Sequence, residues 1–232
     1  MIIAIDGPAG SGKSTIAKLV AQRLGFSYLD TGAMYRAVAF QALDQGVLLS
    51  DPLSPESLSA LAAIAEHDPI TFGFEPGEAL PSHVFIAGVD VSTQIRSPAI
   101  DQAVSVVSAD RQVRAALTVQ QREFGQTYDT VMEGRDIGTV VFPNAEVKIF
   151  LTASAEERAQ RRTIQNAART GKNYNLDEYE RILADINRRD AYDSSREVSP
   201  LTAAEDAVVI DTTDMSIEAV VESIVQLAEL HR

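Results

Sequence analysis

The sequence predicts an α/β fold in three layers, a parallel central sheet covered by helices, and three observations carry that expectation. A short apolar run at residues 2–5 leads through a glycine-rich loop into a helix-periodic segment at 15–24. Strand-length apolar runs then alternate with helical periodicity to the end of the chain, the pattern of a parallel sheet with right-handed crossovers. One stretch, residues 68–96, departs from this with prolines and short alternating runs, the sign of a small antiparallel insert.

The first element sets the chemistry. Residues 7–14 read Gly-Pro-Ala-Gly-Ser-Gly-Lys-Ser, the spacing G-x-x-x-x-G-K-S, with Thr15 following. Strand, glycine-rich loop and helix in that order are the setting a phosphate loop needs. Gly7, Gly10 and Gly12 allow backbone angles other residues avoid, so the loop of Gly7, Pro8, Ala9, Gly10, Ser11 and Gly12 can wrap a polyphosphate with its N–H groups, of which Pro8 lends none. The helix N-terminus adds partial positive charge. Lys13 is placed as a charge for the β- and γ-phosphates and the Ser14 hydroxyl as a ligand for Mg²⁺, with Thr15 extending the hydroxyl pair. Ile16, Leu19, Val20 and Leu24 share one helical side, and Gly25 stops the helix.

The remaining elements follow in order. Residues 26–29 read as a strand ending in the turn Asp30-Thr31-Gly32, and 33–43 as a helix. Thr31 and Arg36 therefore fall at or just past a strand's carboxyl end, where open α/β sheets bind ligands. A helix covers 51–65, with Ser54 or Pro55 near its start. Within 68–96, alternation at 70–75, 84–86 and 89–91 gives the strands of the insert, with Pro69, Pro76, Pro81 and Pro98 in or beside it. One long helix is expected over 100–124, strands at 130–132 and 147–151, and helices at 155–168 and 176–193 joined by a loop at 169–175. A last strand at 207–210 and a closing helix at 217–230 complete the chain.

Composition bounds the function. The 232 residues suffice for one α/β core with a modest insert. There is no cysteine, hence no disulfide and no thiolate nucleophile. No apolar stretch approaches a membrane span or a signal peptide, so a cytoplasmic protein is expected. The formal charge of −13 disfavours nucleic-acid binding. Yet residues 153–196 carry eight Arg and one Lys against eight acids, and Arg outnumbers Lys sixteen to four overall. Arginine suits bidentate recognition of phosphate and carboxylate. Intrahelical ion pairs account for some of these arginines equally well.

Three further constellations accompany the loop. Glu133-Gly-Arg-Asp-Ile-Gly138 follows a strand, so Arg135 can clamp a phosphate and Asp136 can accept hydrogen bonds; a turn with a surface ion pair would look the same. Arg189, Asp193 and Arg196 are spaced to line one helical face, either holding a phosphate and a sugar hydroxyl or forming a salt-bridge ladder. Arg158, Arg161 and Arg162 have the look of a lid presenting charge to a triphosphate. His67, His83 and His231 are scattered and read as surface or turn residues. The chemistry suggested is phosphoryl transfer, which needs placement and charge more than a side-chain nucleophile.

Taken together, residues 7–15, Leu-Asp-Thr-Gly-Ala-Met-Tyr-Arg at 29–36, Glu-Gly-Arg-Asp-Ile-Gly-Thr-Val-Val-Phe-Pro at 133–143, Val-Lys-Ile-Phe-Leu at 147–151 and Arg-Arg-Asp-Ala-Tyr-Asp-Ser-Ser-Arg at 188–196 resemble the bacterial cytidylate kinases. The resemblance implies a P-loop nucleoside monophosphate kinase fold with an arginine-rich lid within about 153–175. It implies a kinase core at 1–67 and 97–232, and a monophosphate-binding insert at 68–96. The implied reaction is transfer of a phosphoryl group from ATP to CMP or dCMP, with Mg²⁺, by a monomer. Thr31, Arg36, Arg135 and Arg196 would hold the acceptor's phosphate; the family often has Ser where Thr31 stands. Arg189 and Asp193 would meet the sugar, and Ser105, Arg114 and Asp136 the cytosine. Lys13, Arg135, Arg158 and Arg162 would act on the transferred group.

Two other functions fit part of the pattern. A kinase of the same fold acting on another acceptor, such as a different monophosphate or shikimate, shares the phosphate loop, although the Glu133–Gly138 segment and the insert speak against shikimate. A nucleotide-binding module without turnover leaves the arginine-rich helix face unexplained.

Overall fold

A computed structural model describes residues 1–75, 80–171 and 173–231, with the side chains of residues 169 and 170 left aside. Pro76, and with it part of the expected insert, lies outside the described residues, as does Lys172 of the expected lid. The strands are β1 (Ile2–Asp6), β2 (Ser27–Asp30), β3 (Ile70–Gly73), β4 (His83–Ile86), β5 (Val89–Asp90), β6 (Thr130–Gly134), β7 (Val147–Thr152) and β8 (Val208–Asp211). The helices are α1 (Lys13–Leu24), α2 (Thr31–Asp44), α3 (Pro55–His67), α4 (Pro98–Val107), α5 (Arg111–Thr127), α6 (Ala155–Thr170), α7 (Leu176–Ser194) and α8 (Ile217–Glu229). The main sheet runs in the order β2-β6-β1-β7-β8, and a second, antiparallel sheet runs β3-β4-β5. Each element stands within a few residues of its expected place, except the long middle helix.

The chain divides into two compact units, Met1–Leu24 with Glu133–Arg232, and Gly25–Met132. Residues 68–96 lie within the second unit. In the first unit β1 pairs in parallel with β7, Ile5 opposite Ile149 and Asp6 opposite Phe150, and β7 pairs in parallel with β8. Every residue of β1 is buried, as expected of a strand covered on both faces. Helices α1 and α8 pack beside one another and against these strands, and α6 packs along α7. The apolar side of α8 (Val220, Val221, Ile224, Val225 and Ala228) is buried, the stripe that anchors an amphipathic helix to a sheet.

In the second unit α2 packs on α4 and α3 on α5. Ser54 caps α3 by accepting the Ser57 N–H, and Pro55 takes the first helical position, where its missing N–H costs nothing. The expected helix over 100–124 is two helices. Asp110 breaks it: its carboxylate accepts the N–H groups of Gln112 and Val113 at 3.0 and 2.9 Å and starts α5 afresh. His83 lies in β4, half-buried, and its ring nitrogens meet Asp90 at 2.8 Å and Glu75 at 2.7 Å. Both carboxylates, Glu75 foremost, hold the imidazole above its ordinary pKa. Among the described residues no helix is long and apolar enough to cross a membrane.

Candidate active site

The phosphate loop begins where β1 ends. Gly7 has φ +148°, and a Cβ on it would stand 2.0 Å from the Leu151 carbonyl oxygen, so only glycine fits. The loop closes on itself: the Ser11 hydroxyl donates to the Pro8 carbonyl at 3.1 Å, and the Lys13 ammonium donates to the same carbonyl at 2.6 Å. Gly10 and Gly12 both have positive φ, as the pattern of glycines predicts. Lys13 opens α1 and is largely buried, so its charge is held at the helix N-terminus beside the loop. Ser14 and Thr15 follow it on the exposed side of the first turn.

Glu133 stands one residue from the end of β6, and the sequence pattern assigns it no role of its own. Its carboxylate accepts a hydrogen bond from the Ser14 hydroxyl at 2.9 Å, joining the end of β6 to the start of α1. A hydroxyl and a carboxylate are hard oxygen donors. No cluster of three or more His, Cys, Asp or Glu able to hold a metal occurs among the described residues. Few protein oxygens, with phosphates and water completing the shell, is how Mg²⁺ is held in phosphoryl-transfer sites, so the pair fits that ion.

Asp6 closes β1 and is 5 % exposed. Its two oxygens accept the N–H groups of Ile137 and Gly138 at 2.9 and 2.8 Å. Burial pushes its carboxyl up to about 6, against the pull of those two hydrogen bonds; Asp136 raises it further and Lys13 lowers it. Beyond Asp136 the chain makes a single π-helical turn, Ile137–Val141, in which the Asp136 carbonyl accepts the N–H groups of Val140 and Val141. Such turns frequently mark functional sites.

The arginines are more tightly held than a cluster of exposed lid charges would be. Arg158 is buried: its Nε donates to the Ala153 carbonyl and its Nη1 to the Ala9 carbonyl of the phosphate loop, each at 3.0 Å, and its Nη2 to Asp190 at 2.6 Å. Arg161 pairs with Glu157 and donates to the side chain and carbonyl of Thr212. Arg162 is the exposed member. The shared helical face of Arg189, Asp193 and Arg196 needs correction, because α7 ends at Ser194 and Arg196 lies beyond it. Arg196 instead folds back to donate to one oxygen of buried Asp193, while Arg135 Nε donates to the other at 3.1 Å. Asp193 thus joins Arg135 and Arg196, and Arg189 is placed on α7.

The second unit holds the other predicted residues. Thr31 opens α2, which Asp30 caps through the Ala33 N–H. Arg36 donates to the Ile95 carbonyl at 3.0 Å and to Asp101 at 2.6 Å. Ser105 lies on α4 and Arg114 on α5, not on one helix as expected. Arg114 is buried, donates to the Ser108 carbonyl at 2.8 Å and stands over the Tyr35 ring, 5.2 Å from its centre. Asp6, Asp101, Asp190 and Thr212 carry contacts that the sequence pattern does not single out. Asp6 carried one usable signal, an acid directly before the first glycine of the loop; the others join their partners only through the fold.

Residues 3–230 match the family model described as cytidylate kinase. The chain is 49% identical to the cytidylate kinase of Streptococcus pneumoniae over 228 residues, which cover 98% of this chain and 96% of that protein. It is 46% identical to that of Bacillus licheniformis over 230 residues, covering 99% and 96%, and 48% identical to that of Lactiplantibacillus plantarum, covering 97% and 93%. The chain belongs to the cytidylate kinase family.

Proposed function

We propose that this protein transfers the γ-phosphoryl group of ATP to CMP or dCMP, giving ADP and CDP or dCDP. One observation carries the proposal: Lys13 and the Glu133-bonded Ser14 occupy consecutive positions at the N-terminus of α1, directly after a glycine-rich loop anchored to the sheet. Membership of the family then selects the acceptor. The loop N–H groups and the helix N-terminus bind the triphosphate. Lys13 balances charge on its β- and γ-oxygens. Ser14 and Glu133 would hold Mg²⁺, which when bound offsets further negative charge there.

The attacking group is an oxygen of the acceptor's own phosphate, already deprotonated near neutral pH, so no side-chain base is required. What the protein supplies is alignment and charge stabilisation. Arg135, Arg158 and Arg162 meet the equatorial oxygens of the transferred group, Arg158 exchanging Asp190 for phosphate as it does so. Thr31, Arg36, Arg135 and Arg196 hold the acceptor phosphate, and Arg189 and Asp193 the sugar. Ser105, Arg114 and Asp136 read the base: a carboxylate only accepts and a guanidinium only donates, matching the N4 amino group and the N3 and O2 acceptors of cytosine. Residues 68–96 act as the monophosphate-binding insert and about 153–175 as the lid, in a cytoplasmic monomer.

A coupled ADP-release assay across CMP, dCMP, UMP, AMP and GMP tests this. Turnover concentrated on CMP and dCMP is expected. Equal turnover of UMP, or ATP binding with no turnover of any acceptor, overturns it.

A further inference from the structure

The residue in the N-cap position of the π-helical turn is Asp136, yet its side chain makes no capping hydrogen bond. An aspartate there ordinarily accepts N–H groups of its own helix. The first amides of a helix are left without intrahelical partners and need an acceptor from somewhere. Asp6 supplies it from the end of β1, one oxygen to Ile137 N–H and the other to Gly138 N–H. The clamp is close-packed. A Cβ on Gly138 would lie 3.5 Å from Asp6 Oδ2 and 3.3 Å from the Lys148 side chain. Asp6 is also the residue before Gly7, so one side chain links the start of the phosphate loop to the backbone that follows Asp136.

We propose that Asp6 is a positioning residue for base discrimination: by capping the turn directly after Asp136, it fixes the backbone that aims the Asp136 carboxylate at the cytosine amino group. The proposal rests on Asp136 reading the base. Burial and the opposing influences of Asp136 and Lys13 on the Asp6 carboxyl are in keeping with a group lying between these two parts of the site. Asp6→Asn is the sharp substitution. It keeps the shape but turns one of the two acceptors into an NH₂ donor facing an N–H donor.

The test measures kcat/KM for CMP and for UMP, with KM for ATP, in wild type, Asp6→Asn, Asp136→Ala and the double variant. Asp6→Asn is expected to lower the CMP-to-UMP ratio about tenfold, the scale of a misaligned contact, while KM for ATP stays within about threefold. In the Asp136→Ala background it should change the ratio no further, because the aimed group is gone. Equal losses on CMP and UMP, or a loss confined to KM for ATP, would make Asp6 a support of the phosphate loop and overturn the proposal. An unchanged ratio in Asp136→Ala alone refutes base reading by Asp136 separately, before Asp6 is considered. If Asp6→Asn shows no cooperative melt, Asp6→Glu, which keeps the charge but moves the oxygens by one methylene, is read by the same ratio. Failure of both to fold assigns Asp6 a purely structural role.

Discussion

Arg158 Nη2 lies 2.6 Å from Asp190 Oδ2, an ion pair that ties α6 to α7 while the same guanidinium holds the Ala9 carbonyl of the phosphate loop. Arg158 is buried and Asp190 only a quarter exposed, so removing one partner costs more than it does in a surface pair. Asp190→Ala leaves the guanidinium without its carboxylate and is expected to cost about 1–3 kcal/mol of stability. With Arg158 loosened, kcat should fall about tenfold. Asp190→Asn, which keeps an acceptor, should lose less of both. Urea midpoints and single-substrate kinetics measure these effects; identical behaviour of the Ala and Asn variants would show that the hydrogen bond contributes nothing.

Lys13→Ala is expected to lower kcat by about 10²–10³ through loss of a transition-state charge contact. The fold should survive, because the Pro8 carbonyl that Lys13 caps still receives the Ser11 N–H and hydroxyl. The coupled assay gives the rate and far-ultraviolet circular dichroism the fold. Turnover within about threefold of wild type would remove Lys13 from the chemistry.

Ser14→Ala and Glu133→Gln each weaken one of two facing oxygen donors. Both are expected to raise the Mg²⁺ concentration for half-maximal rate about tenfold, with KM for CMP unchanged. A shift in KM for CMP with the metal dependence unmoved would place the pair in acceptor binding instead.

Asp6 makes a pH prediction with a definite sign. Its folded-state carboxyl is raised from 3.8 to about 6, so between those values the folded protein binds more protons than the unfolded chain. Its contribution is therefore favourable in acid and is lost as pH rises from about 4 to 6, a change of about 3 kcal/mol. Asp90, held down to about 2 by the Ser92 hydroxyl and amide and by His83, titrates below this window. Stability of wild type minus that of Asp6→Asn, followed by urea unfolding from pH 4 to 7, isolates the effect. A flat difference would mean that Asp6 ionises normally.

The parts of the fold that were legible in the sequence rest on local pattern. The run Ile2 to Ile5, the glycines of the loop and the apolar stripe of α8 each determine structure within a few residues of themselves. The break between α4 and α5 was masked because apolar periodicity persists across it; the cap at Asp110 was the local signal to weigh. Arg196 misled for the opposite reason. The helical spacing in the sequence runs past Ser194, where α7 stops, although Arg196 still reaches Asp193 from the following turn. The contacts of Asp6 with Ile137 and of Ser14 with Glu133 span more than a hundred residues and depend on which strands become neighbours, which no window of sequence contains.

Gly7 carries a last consequence. Because its Cα packs on the Leu151 carbonyl where the β1–β7 ladder ends, the loop that follows is an extension of the sheet. Loops ordinarily lose much conformational freedom when they close on a ligand, and that loss weakens binding. Here the ordering has already occurred during folding. Nucleotide association should therefore show a small entropic penalty from the loop, and any substitution at Gly7 should weaken ATP binding by restoring that disorder.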